Sequence, residues 1–268
     1  MDPEQSNIGP VTEDRRGPAA RLRDARSHLR QADPVLARLI DERPDFDPRG
    51  WMAELPAMDL YGALVFQVTG QQLSVASTRR ILARIQALFG GHLPSPEELL
   101  RADPAEIRRA GLSGRKVATL RDLAERISDG RLNLAVLSGL PDEEIMAQLT
   151  AIPGIGPWTV QGALILALDR EDVVLPGDLA LRKAVRAAYQ LDHLPLPAEV
   201  TAIAEPWRPY RSLATSYLFS AVAPGDAAPA TPGFGIGQRL SNQGRSPAAS
   251  RLSISSRTAW QHAALSTT

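Results

Sequence analysis

The strongest constraint on this chain is one run, Leu149-Thr150-Ala151-Ile152-Pro153-Gly154-Ile155-Gly156-Pro157-Trp158-Thr159. Proline has no N–H and its ring clashes with the preceding helical turn, so a helix beginning near Pro141 must stop at Pro153. Gly154 and Gly156 permit positive φ and let the backbone come close to another surface. Pro157 suits the first turn of a second helix, whose apolar text continues through Leu168. The product is helix, glycine hairpin, helix. Its exposed amides, at the positive end of the second helix dipole, form a ready anion site that a DNA phosphate would fit. No Gly-Lys-Ser/Thr follows, so this is not a Walker loop, and a helix rather than a strand precedes it, so it is not a dinucleotide fingerprint. The bland alternative is that two glycines merely let two helices pack at a sharp turn.

Elsewhere the punctuation is also helical. Asp33-Pro34, Ser95-Pro96 and Asp103-Pro104 each set a capping oxygen before a proline at the first helical position. Ser74 and Ser113 open runs with apolar residues at helical spacing, such as Ile81, Leu82, Ile85, Leu88 and Val117, Leu120, Leu123, Ile127. Val173-Val174-Leu175 is too short to seed a sheet. The expectation is an all-α globule of about ten short helices, residues 22–223. It is flanked by an unstructured lead-in at 1–21 and a low-complexity tail at 224–268, rich in Ala, Ser, Pro and Gly.

Composition narrows the chemistry. The 268 residues contain no cysteine, which excludes disulfides, thiolate zinc sites, cysteine nucleophiles and cysteine-held iron–sulfur clusters. Four histidines, His28, His92, His193 and His262, lack metal-ligand spacing. Thirty basic and thirty acidic residues cancel, yet Arg79–Arg131 carries eleven Arg/Lys against seven Asp/Glu. Only two of the thirty basic residues are lysines, Lys116 and Lys183. No stretch approaches the roughly 20 apolar residues needed to cross a bilayer, and the N-terminus has no apolar signal core. The expectation is a cytoplasmic, nucleoid-associated protein, most simply a monomer, with no membrane partner.

About twenty residues beyond the hairpin, Pro176-Gly177-Asp178-Leu179-Ala180-Leu181-Arg182 delivers Asp178 to the start of another helix. An aspartate there is an ordinary N-cap. What raises its interest is a carboxylate one loop after a phosphate-gripping hairpin.

Five stretches in order carry a resemblance: Gly70-Gln71-Gln72-Leu73-Ser74, Gly111-Leu112-Ser113-Gly114-Arg115-Lys116, Ile152 to Thr159, Pro176 to Arg182, and Trp207-Arg208-Pro209-Tyr210-Arg211-Ser212. Residues 28–218 thereby resemble the helix–hairpin–helix DNA glycosylases, in particular the DNA-3-methyladenine glycosylase II branch. The resemblance implies two helical subdomains with a cleft between them, and a damaged nucleotide flipped out of double-stranded DNA into that cleft. It implies Asp178 as the essential carboxylate, stabilising the positive charge that develops on the sugar as the N-glycosidic bond breaks. Alkylated purines such as 3-methyladenine and 7-methylguanine are already cationic and leave without a general acid. Relatives that also cut the strand place a Schiff-base lysine two residues after the second hairpin glycine; here that position is Trp158, so a monofunctional glycosylase without lyase activity is expected.

By the same resemblance Trp158 and Tyr210 wall the base pocket, Trp158 stacking on an electron-poor base. Trp207 reads as a packing anchor, while Gly162, where some members carry a third aromatic, implies a more open pocket. Gln72 or Leu73 would plug the gap left by the flipped base. Gly154, Gly156 and Thr159 would meet DNA at the hairpin, and Arg79, Arg80, Arg84, Arg115 and Lys116 are candidates for phosphate contacts. The backbone carbonyls of Thr150, Ile152 and Ile155 would hold a structural sodium or potassium ion; no catalytic cofactor is implied. Two rivals stand: a glycosylase of this fold for uracil or hypoxanthine, and a non-catalytic DNA-binding protein using the hairpin as a clamp. A final helix cut short after Ser220 is a further expectation.

Overall fold

The computed structural model describes residues 17–221, apart from positions 51, 53, 54 and 56. Among the described residues the chain is helical throughout, with no strand. The N-terminal helices are α1 (Pro18–Ala32) and α2 (Pro34–Asp41). A central run follows: α3 (Leu60–Gly70), α4 (Val75–Leu88), α5 (Pro96–Arg101), α6 (Pro104–Arg109), α7 (Gly114–Ser128), α8 (Leu134–Leu137), α9 (Asp142–Thr150) and α10 (Pro157–Leu168). The chain closes with α11 (Leu179–Ala188), α12 (Pro197–Ala204), a 3-10 turn (Glu205–Trp207) and α13 (Arg211–Ala221).

The caps read from sequence form as expected. Asp33 Oδ1 accepts from the amides of Val35 and Leu36. Ser74 accepts from Ser77, Asp103 from Ala105 and Ser113 from Lys116. Ser95 and Glu98 close a reciprocal capping box. Each cap satisfies an amide that the helix cannot, worth about 1 kcal/mol. The first helix corrects an expectation: it begins at Pro18, four residues inside the stretch read as unstructured, because Pro18 suits a first helical turn. Residues 1–16 and the tail from 222 lie outside the described residues. The last helix reaches Ala221 and buries every side chain from Ser212 to Phe219.

The helices sort into two lobes. In the central lobe α3 lies along α10, with α4 and α7 against α3, α5 and α6 on α7, and α9 beside α10. Helix α3 is buried on all sides except at Tyr61. The other lobe joins the two ends of the chain: α1 and α2 pack together, α13 fits against α2 and α11, and α12 leans on α11. Trp207 is fully buried there, as a packing anchor should be, and its indole N–H donates to Asp33 Oδ2 at 2.9 Å. Tyr189 donates to the same oxygen. Asp33 thus caps α2 with one oxygen and holds the C-terminal segment with the other.

The chain crosses between lobes twice, before α3 and after α10. Arg49 pairs with Asp169, tying the two crossings together. The second crossing is clamped from α13: Arg211 donates to Asp172 Oδ1 at 2.6 Å, Val173 N donates to Ser212 Oγ at 3.1 Å, and Ser212 Oγ donates to the Arg170 carbonyl at 2.8 Å. That clamp fixes the segment leading to Asp178.

Candidate active site

The hairpin forms where Pro153 stops α9, and only one of its glycines is needed for conformation. Gly154 has φ +92°, and a Cβ there would lie 2.0 Å from Thr119 Oγ1. That hydroxyl donates to the Pro153 carbonyl at 2.9 Å, so α7 is locked under the turn. Gly156 has φ −100°, and among the described residues a side chain there would meet no atom within 4 Å. Ile152 and Ile155 are buried and anchor the turn. The amides of Gly154, Gly156 and Thr159 donate to no acceptor among the described residues, so the hairpin presents unspent N–H groups at the start of α10. The Thr159 side chain is turned inward: it is 2 % exposed and its hydroxyl accepts from Gln71 Nε2 at 3.0 Å, which leaves its amide for an outside contact.

Gln71 also donates to the Gly154 carbonyl at 2.9 Å, linking the turn after α3 to the hairpin. Of the two plug candidates, Gln72 is exposed with φ +61°, whereas Leu73 packs against the core. Arg80, Arg84 and Arg115 are exposed. Lys116 departs from expectation. Its ammonium donates to the carbonyls of Thr69 at 2.9 Å and Gln71 at 2.6 Å, so it is engaged inside the protein.

Asp178 caps α11, Oδ1 accepting from Leu181 N at 3.0 Å. Its other oxygen accepts from the indole N–H of Trp158 at 3.3 Å. Trp158 belongs to the first turn of α10, so this bond joins the two lobes. Asp178 is 5 % exposed. Burial pushes its carboxyl above the ordinary carboxylate range, while the bonds from Leu181, Trp158 and Ala180 pull it part of the way back. Tyr210, half-buried, lies edge-on to His28 with ring centroids 5.5 Å apart. The structure therefore brings Trp158 and Asp178 together and holds Tyr210 through His28.

The space beside Gly162 is filled rather than open. A Cβ on Gly162 would lie 2.1 Å from Gln67 Nε2, because α3 packs against α10 and the Gln67 amide fills that space. Gln67 is 1 % exposed and its Nε2 has no hydrogen-bond partner among the described residues. Sequence reasoning missed Gln67, Thr119 and the tethering role of Gln71. The only local signal was Gln71 beside the expected plug.

Among the described residues no group of three or more His, Asp or Glu could hold a metal ion, and no helix is long and apolar enough to cross a membrane. A family model described as HhH-GPD superfamily base excision DNA repair protein matches residues 65–209, which include the hairpin, Trp158 and Asp178. The chain belongs to that superfamily. DNA-3-methyladenine glycosylase 1 of Schizosaccharomyces pombe is 32% identical over 200 residues, covering 74% of this chain and 86% of the relative. DNA-3-methyladenine glycosylase 2 of Escherichia coli is 26% identical over 223 residues, covering 80% and 74%. The chain spans between 59% and 86% of the length of three such curated relatives. Among solved structures, the S. pombe 3-methyladenine DNA glycosylase in complex with abasic DNA aligns with TM-score 0.65 at 30% identity, covering 73% of this chain and 94% of that one. The HhH-GPD match and the all-helical, two-lobed fold agree.

Proposed function

We propose that this HhH-GPD protein is a monofunctional DNA glycosylase that excises alkylated bases, of the 3-methyladenine and 7-methylguanine type, from double-stranded DNA in base-excision repair. The observation that carries the reading is the Asp178 carboxylate held between lobes by Trp158, one loop after a hairpin with unspent amides. A clamp that only bound DNA could cap α11 with an uncharged Asn or Ser and would gain nothing from a carboxylate next to a polyanion. The names of the relatives supply the substrate class: the matched proteins are called DNA-3-methyladenine glycosylases.

The hairpin amides grip a phosphate while the nucleotide is extruded, and Gln72 fills the space it leaves. The Trp158 ring stacks on the cationic base, with Tyr210 as the second wall. The C1′–N bond then breaks, its electron pair going to the base, which leaves neutral. The sugar becomes oxocarbenium-like, and the Asp178 carboxylate stabilises it at short range in a site where water competes little. Water adds to C1′ and gives up its proton, leaving an abasic site. Burial raises the energy of the ionised carboxylate in the free enzyme, so the developing cation is stabilised more strongly than in water. Position 158 offers an indole in place of an amine, Lys116 is engaged elsewhere, and Lys183 lies in α11 away from the position that the strand-cutting relatives use, so no Schiff base forms.

The hairpin carbonyls suit a sodium or potassium ion. Thr150 and Ile155 carbonyls accept no hydrogen bond among the described residues, and that of Ile152 accepts one, from Ile155 at 3.0 Å. Neutral, hard oxygens of this kind match an alkali cation, which when bound would add positive charge for a phosphate.

Release of methylated purines from alkylated duplex DNA tests the reading. Borohydride in the same reaction should capture no covalent protein–DNA adduct; capture would overturn the non-lyase assignment.

A further inference from the structure

Lys116 is the third residue of α7, where the positive end of its own helix dipole disfavours a cation. Its side chain leaves that helix and reaches the end of α3, where two carbonyls lacking helical partners, Thr69 and Gln71, converge on the ammonium. Helix α3 has no basic residue in its own last turn, so Lys116 supplies the charge its negative end lacks. The compact, three-donor ammonium suits two convergent carbonyls better than the planar guanidinium of the far commoner arginines.

The next residue, Gln72, stands at φ +61°, a conformation a glutamine adopts only when its neighbours impose it. Its N-terminal neighbour is tied at two points: the Gln71 carbonyl by Lys116, and the Gln71 side-chain amide by the Gly154 carbonyl and Thr159 hydroxyl. Between the turn and the hairpin lies a recess of about 460 Å³, with Lys116 and Arg115 on one wall and Gly154 and Gly156 on the other. Burial lowers the Lys116 ammonium from the ordinary lysine value, as expected for a group turned inward.

We propose that Lys116 is a positioning residue: through the Thr69 and Gln71 carbonyls it sets the conformation of the Gln72 turn, and through Gln71 it couples that turn to the phosphate-gripping hairpin. The role in base release rests on the glycosylase reading above; the tether itself does not. Lys116 then acts on the plug and makes no phosphate contact of its own, unlike exposed Arg115.

Three measurements on Lys116→Met test this. Amide hydrogen exchange across residues 70–74 should quicken at least tenfold while α5 and α6 keep wild-type protection; unchanged exchange at the turn overturns the tether whether or not the protein releases bases. The salt dependence of binding to undamaged duplex should keep its wild-type slope in Lys116→Met and fall by about one in Arg115→Met. A fall of about one in Lys116→Met would make it a phosphate ligand and overturn the proposal. Single-turnover base release should drop at least tenfold in Lys116→Met and in Gln72→Ala, with no further drop in the double variant; additive losses would overturn the coupling. If wild type releases no base, the glycosylase reading fails and the exchange experiment still decides the tether.

Discussion

The indole N–H of Trp158 and the Asp178 carboxylate meet at 3.3 Å across the junction of two lobes, each residue standing at the start of a helix from a different lobe. Trp158 therefore has two separable parts, a ring for the base and an N–H for the carboxylate. Trp158→Phe keeps the first and removes the second. That N–H favours ionised Asp178, so its loss should move the acid limb of the base-release profile to higher pH. An unmoved limb would show that the bond leaves the ionisation untouched.

The same carboxylate makes a stability prediction with a definite sign. Burial raises Asp178 above its unfolded value, so the folded state binds more protons between the two values. The contribution of Asp178 to stability is thus largest below the ordinary carboxylate pKa and declines as pH rises through the folded value. Measured by denaturant unfolding, wild type should lose stability relative to Asp178→Asn between acidic and neutral pH. A gain relative to Asp178→Asn over that range would contradict the assignment.

Two glycines in one hairpin should respond differently. Gly154→Ala meets both a left-handed backbone and the Thr119 hydroxyl, so unfolding should show a loss of about 2–3 kcal/mol. Gly156→Ala meets nothing in the free protein and should leave stability within about 0.5 kcal/mol. It should nevertheless weaken duplex binding about tenfold, roughly 1.4 kcal/mol, because a methyl group stands where phosphate approaches. Unaltered binding would show that DNA does not contact this turn.

Gly162→Ala should destabilise by about 1–3 kcal/mol, since its Cβ overlaps the buried Gln67 amide. Adding Gln67→Ala should recover part of that loss, a non-additivity readable in a double-mutant cycle. Additive losses would mean that the two residues are not in contact.

Much of this molecule is local, and the local part was legible. The caps at Asp33, Ser74, Ser95, Asp103 and Ser113 depend on residues two or three positions apart, and Pro153 to Pro157 dictates a break wherever the chain goes. Asp178 could be placed at a helix start for the same reason. The junctions could not. Gln71 meets Thr159, and Gln67 meets Gly162, only because α3 and α10 pack antiparallel, and no spacing within either helix announces its partner. The text around Lys116 suits a phosphate contact as well as any solvated helix start does, and its partners lie more than forty residues away. Glycine at 162 suggested a void, when it marks a side chain arriving from elsewhere.

The most direct test of the account is single-turnover release of 3-methyladenine from methylated duplex DNA by the wild-type protein and by Asp178→Asn at neutral pH. Wild type should release the base and the variant should lose at least about a hundredfold in rate, with duplex binding retained. Equal release by the two proteins would contradict the role of Asp178, and no release by either would contradict the enzyme.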